Sequence, residues 1–168
     1  MQTNLATQQK QDLFTLSPKS LDEAMQYAGI IAESELVPKD YRQKPGNVLV
    51  AVQMGGEIGL PPMQALQNIA VINGRPSLWG DALKAVVMAH PLCEYIKEWF
   101  DEATKTAWCE TKRVGSPEAH REAFSFDDAK AAGLLGKQRP WQQYPKRMCQ
   151  MRARGFCLRD TYPDGLKG

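Results

Sequence analysis

At 168 residues the chain is long enough for one domain that buries a core without disulfides. Its 43% hydrophobic and 24% charged residues are ordinary for a globular protein, and no apolar run approaches the roughly 18 residues of a membrane span. The formal charge of +2 hides a segregation: no acidic residue stands between Asp128 and Asp160, where Lys130, Lys137, Arg139, Lys146, Arg147, Arg152, Arg154 and Arg159 give +8, leaving −6 for the rest. A basic segment of this kind on a near-neutral chain points to an anionic partner, most often nucleic acid.

The polar, Gln-rich start lacks the basic and apolar regions of a secretory signal. Residues 1–18 are expected to form a flexible tail, residues 19–168 a single domain, and the cytoplasm is the expected address. Cys93, Cys109, Cys149 and Cys157 show no C-x-x-C spacing, so they read as buried or incidental thiols rather than metal ligands.

In chain order, Ser20 and Glu23 have capping-box spacing, and Leu21, Ala24, Met25, Ala28 and Ala32 follow at helical intervals to about Ser34. The prolines and glycine between Val37 and Gly46 mark a loop carrying Lys39, Arg42 and Lys44 around Tyr41. A second helix is expected to start at Asn47 as its cap and, with Val48 to Val52 apolar all round, to be deeply buried. Pro61 and Pro62 suit the start of a short helix through Gln67.

Ile69–Ile72, then Asn73-Gly74, then Arg75–Leu78 reads as a hairpin with a type I′ turn, its Pro76 strand at an edge or bulge. A helix follows over about Gly80–His90, with Leu83, Val86 and Val87 inside. Strands near 93–100, 105–113 and 119–126 with short turns form an antiparallel meander. Asp127-Asp128 opens a short helix closed by Gly133 or Gly136, and a last helix runs from Pro145 to about Arg159. The fold class is therefore α+β: an antiparallel meander and hairpin packed against helices, ending in a basic helix.

Several stretches resemble the RecT family of phage recombination proteins: Leu36 through Pro45; Gln53-Met54-Gly55, then Gly59 through Asp81; Pro140-Trp141 with Tyr144 through Met148 and Arg152-Ala153-Arg154; and Arg159-Asp160 with Tyr162-Pro163-Asp164. The resemblance implies a core similar to that of the phage Red-beta protein, a β-sheet with a long helix across it. It also implies ATP-independent annealing of complementary single strands in homologous recombination. The implied partners are single-stranded DNA and the annealed duplex, further copies of the chain in a ring or filament, and a 5′–3′ exonuclease that supplies the strand. Family members commonly continue beyond the point where this chain stops, in the region expected to contact the host single-strand-binding protein; that contact is in question here.

Annealing requires cations at phosphate spacing and a few groups that touch bases. The expected phosphate contacts are Lys146, Arg147, Arg152, Arg154 and Arg159. On a helix Arg147 and Arg154, seven apart, share one stripe, and Arg152 and Arg159 share a second. One stripe is expected to meet a neighbouring subunit or an acidic core partner instead. Arg75 and Trp79 are placed to hold backbone and stack a base, against the plain alternative of a surface cation and a core indole. Lys39, Arg42 and Lys44 sit on a loop, where binding residues concentrate. Trp141 and Tyr144 read as core anchors. No catalytic residue, cofactor or metal ligand is expected, although magnesium could modulate annealing.

Three other readings compete. A DNA-binding core without annealing activity needs nothing more than the basic segment. A magnesium-dependent nuclease would use Glu110-x-Lys112 with Asp101. An ATP-driven strand-exchange protein would need a phosphate loop, but Gly136-Lys137 is followed by Gln138 and no glycine opens the motif.

Overall fold

The computed structural model describes residues 17–72, 74–136 and 139–167. Most of the expected tail, Asn73 of the hairpin turn, Lys137, Gln138, the side chain of Arg139 and Gly168 lie outside the described residues.

Helix α1 (Leu21–Ala32) begins at Ser20, whose Oγ accepts from the Glu23 N–H at 3.2 Å. The Glu23 carboxylate accepts in turn from the N–H of Lys19 (2.7 Å) rather than from that of Ser20. Helix α2 (Pro45–Glu57) corrects two expectations. It starts before Asn47, because Pro45 is already preset for a first turn, and the Asn47 amide instead donates to the Asp40 carbonyl at 2.9 Å. Nor is it buried all round: Val48 and Ala51 are buried while Val50 is 53% exposed. Gly55 is required where α2 crosses α3 (Pro62–Asn68), since a Cβ there would lie 2.3 Å from the Ala65 Cβ.

Strands β1 (Ile69–Ile72) and β2 (Arg75–Leu78) pair antiparallel, Ile69 opposite Leu78 and Ile72 opposite Arg75. Both are edge strands of a two-stranded sheet, so Pro76 has a free side to occupy. The loop before α2 is tied to this hairpin, because buried Tyr41 donates its hydroxyl hydrogen to the Ile69 carbonyl.

Helix α4 (Gly80–Met88) turns Leu83 and Val87 inward. The meander is present as β3 (Cys93–Asp101), β4 (Thr106–Arg113) and β5 (His120–Ser125), in the order β3-β4-β5. Helix α5 (Phe126–Ala131) opens on a reciprocal capping box between Ser125 and Asp128. Helices α6 (Arg139–Gln143), α7 (Pro145–Thr161) and α8 (Pro163–Leu166) complete a mixed α+β fold.

Helix α7 lies on one face of the three-stranded sheet. Cys149, Ala153 and Cys157, four apart, are fully buried, as are Ala107 and Cys109 of β4. Small side chains on both surfaces let helix and sheet approach closely. Cys149, Cys157 and Cys109 are thus packing residues, as expected. Burial pushes the Cys149 thiol up to about 11, and a hydrogen bond with Cys109, then burial, raise Cys157 as well. Among the described residues no helix is long and apolar enough to cross a membrane.

Candidate nucleic-acid interface

The two arginine stripes of α7 have different fates. Arg154 is buried, with Nε 2.7 Å from Glu98 Oε1, Nη2 2.9 Å from Glu98 Oε2, and Nη1 2.7 Å from Asp81 Oδ1. Arg147 reaches the same Asp81 oxygen at 2.7 Å. Lys84 closes the network on Glu98 at 2.6 Å. Burial would raise the Glu98 carboxyl, but hydrogen bonds from Arg154 and Lys84 outweigh it and hold the group below its ordinary range. The Arg154 hydrogen bond likewise lowers Asp81. Arg154 therefore cannot serve as a phosphate contact. It ties α7 to β3 and α4, the acidic core partner expected for one stripe.

On the second stripe neither Arg152 nor Arg159 has a carboxylate partner among the described residues. Arg152 and Arg159 line a cleft of about 480 Å³ between α7 and the hairpin-to-α4 connection, together with Trp79, Phe156, Met148 and Met151. Among the described residues no acidic side chain lines it. Arg159 donates from Nη2 to the Leu78 carbonyl (2.8 Å) and from Nη1 to the Gly155 carbonyl (3.3 Å). Burial, then the nearby Arg152 charge, lower its pKa. Two cations on one helix stripe with no carboxylate partner among the described residues offer a site that an anion stabilises.

Trp79 is 56% exposed, which sets aside its reading as a core indole. It stands in the extended conformation just before α4, its ring open to the cleft. Arg75, exposed at the hairpin end, is the register partner of cleft residue Ile72. Phe156 was not singled out from sequence. It lies four residues after Arg152 and three before Arg159, so the helical repeat sets it between them, and it is 44% exposed.

The remaining candidates are dispersed. Lys146 pairs with Glu102 in the β3–β4 turn. Arg42 donates to the Val37 carbonyl (3.0 Å) and the Glu35 carbonyl (2.5 Å), which makes it a scaffold of its own loop. Lys39 and Lys44 are exposed there, but none of the three loop cations lines the cleft. Trp141 is buried against Phe124, as expected. Tyr144 is not a core anchor: it is 65% exposed at the entry to α7.

The geometry does not assemble the nuclease pair. Asp101 is opposite Thr106 and Glu110 opposite Lys97, four positions apart along β4, or about 13 Å at strand rise. Asp101 caps its turn by accepting from the Ala103 N–H at 2.8 Å, and Glu110 is held by Arg121 and the Tyr95 hydroxyl. Elsewhere His120, Glu122 and Asp160 bring ligand-type atoms within 4.8 Å of one another, with His120 and Glu122 already 3.3 Å apart as a pair. A larger groove of about 790 Å³ beside α1–α3 has Lys19 and Glu57 as its charged lining and no aromatic among the described residues. The α7 cleft joins two cations that have no carboxylate partner among the described residues to open aromatic faces. No protein-family model matches the chain, and comparison with curated proteins gives no match either.

Proposed function

We propose that this chain binds single-stranded DNA in the α7 cleft and anneals complementary strands without ATP, as a protein of the RecT type. The observation that carries the reading is the pairing of Arg152 and Arg159, without a carboxylate partner among the described residues, with the open rings of Trp79 and Phe156. Phosphates and unstacked bases present the chemistry such a cleft accepts: anionic oxygens for the guanidinium groups and π-faces for the aromatics. A duplex, with its bases already stacked, offers only the first.

Annealing itself needs no bond cleavage and no fuel, because the duplex product is lower in free energy than the two strands. What a protein supplies is screening of phosphate repulsion and a strand held with its bases accessible, so that pairing becomes a templated search. The sequence stretches similar to the RecT family and the packing of α7 on the three-stranded sheet support the same reading. Oligomerisation along DNA and supply of the strand by a partner exonuclease belong to it as well.

The test is fluorescence anisotropy with a labelled oligothymidine at two salt concentrations, comparing the wild-type chain with a double variant, Arg152→Glu and Arg159→Glu. Binding by the wild type and its loss in a folded double variant are expected. Equal affinity of the two would contradict the cleft as the DNA site.

A further inference from the structure

The sheet has a second face. Opposite α7, the outward positions of β3, β4 and β5 form rows fixed by register: Tyr95 beside Lys112, then Lys97–Glu110–Arg121, then Trp99–Trp108–Ala123. The inward positions Ala107, Cys109 and Thr111 are fully buried beneath α7. The outward ones include Trp99 at 40% exposure and an exposed Lys97. Trp99 and Trp108 stack with ring centroids 5.9 Å apart and planes 6° from parallel. The Arg121 guanidinium stands 5.4 Å from the Trp99 ring centre, and the Lys97 ammonium 4.6 Å from that of Tyr95.

A cross-strand aromatic pair steadies a sheet, yet stability alone gives no reason to leave indole surface open beside the Lys97–Glu110–Arg121 row. The charges point the same way. Lys97, Lys112 and Arg121 face two carboxylates, Glu94 and Glu110, each already in an ion pair, with Lys112 at 3.4 Å and with Arg121. Lys97 has no carboxylate partner among the described residues. Within the row Lys97–Glu110–Arg121 the Glu110 charge is met by Arg121, which leaves Lys97, between the Tyr95 and Trp99 rings, as the cation open to a phosphate of a strand whose bases stack alongside.

We infer that this outer sheet face is a second single-stranded DNA site, on which the incoming strand is held by stacking on Trp99 and Trp108 and by a phosphate contact to Lys97. The inference rests on the proposed function and adds to it a separate place for the second strand. The cleft holds one strand and the sheet face presents the other. Each is bound through its backbone and through base faces rather than pairing edges.

The experiment is photo-crosslinking of the full chain to an oligothymidine carrying 5-iodo-deoxyuridine, with the crosslinked peptides mapped by mass spectrometry. Crosslinks are expected at Trp99 or Trp108 in addition to Trp79 or Phe156. In Lys97→Glu the sheet crosslinks should fall at least about fivefold while the cleft crosslinks persist. Trp99→Leu, checked for folding by circular dichroism, should weaken binding at the sheet face by about 5- to 150-fold, the range expected when one base loses its stacking ring, and slow annealing with it. Crosslinks confined to the cleft would overturn the sheet site and leave the proposed function standing. No crosslink and no binding anywhere would overturn both. Sheet crosslinks absent from the wild type, together with a change of oligomer size in Lys97→Glu seen by sedimentation, would assign the face to a second copy of the chain and overturn the inference.

Discussion

Arg154 of α7 and Glu98 of β3 meet through two hydrogen bonds, at 2.7 and 2.9 Å, with both side chains almost wholly out of solvent. The pair fixes the helix on the sheet and thereby sets which arginines of α7 remain outside. With Arg154 turned in, Arg152 and Arg159 are left on the far stripe with Phe156 between them. A buried interaction in the packing layer thus determines the geometry of the exposed one.

Removing Arg154 leaves buried Glu98 with Lys84 in place of two cations and without its two guanidinium hydrogen bonds. Arg154→Leu is expected to destabilise the fold by about 3–5 kcal/mol, read as a lower midpoint in urea unfolding. Replacing both members, Arg154→Leu with Glu98→Met, should recover much of that loss. A double variant as unstable as the single one would show that Arg154 acts through something other than its charge partner.

The pH dependence follows from the same carboxylates. Glu98 and Asp81 are both depressed in the folded chain, so the stability they contribute is complete above the ordinary carboxylate value of about 4. It is lost as the pH falls from there through their folded values, where protonation removes the partners of Arg154. Unfolding midpoints measured between pH 7 and pH 2 should drop most steeply in the acid part of that range. Glu98→Gln should flatten the drop, and an unchanged profile in that variant would exclude Glu98 as its source.

Arg152→Ala and Arg159→Ala separate binding from folding. Each should reduce the salt dependence of single-strand binding by about 0.7 in log–log slope, the value for each phosphate left without its cation. Arg159→Ala also removes a hydrogen bond to the Leu78 carbonyl and should cost about 1 kcal/mol of stability, whereas Arg152→Ala should be neutral. Parallel salt plots for wild type and variants would place the phosphates elsewhere.

Trp79→Ala should weaken binding by about 1–3 kcal/mol, the worth of one base stacked on an aromatic ring. It should change the unfolding midpoint little, because the ring is mostly exposed. Titration with oligothymidine, followed by the tryptophan emission of the wild type and by anisotropy for the variant, checks the binding half, and urea unfolding of both proteins checks the other.

The elements visible in the sequence were those with local physical signals. Ser20 as a cap, the strands flanking Asn73-Gly74, and the alternation of the meander each act through neighbours a few residues away, and each stands where it was expected. The start of α2 was misplaced because Pro45 and Asn47 both carry initiation signals, and the earlier one prevailed. Burial was harder to read. Val50 and Tyr144 are exposed although their residue types favour the interior, since exposure depends on which element lies opposite. The same limit applied to Arg154, whose partner Glu98 is 56 residues away. Heptad spacing separated the two stripes, but only the packed structure shows Arg154 of one in the core, with exposed Arg147 on the same Asp81, and the other lining the cleft. Phe156 was within reach, since its position between two arginines of one stripe is a matter of helical repeat alone.

The central claim is tested most directly by mixing the full chain, without ATP, with two complementary oligonucleotides carrying a fluorophore and a quencher, and then running the products on a denaturing gel. Pairing faster than the uncatalysed rate, with both strands intact and the acceleration lost in the Arg152→Glu, Arg159→Glu variant, is the predicted result. Single-strand binding with no acceleration would contradict annealing and reduce the chain to a DNA-binding core, and cut strands abolished by Glu110→Gln would replace the account with a nuclease.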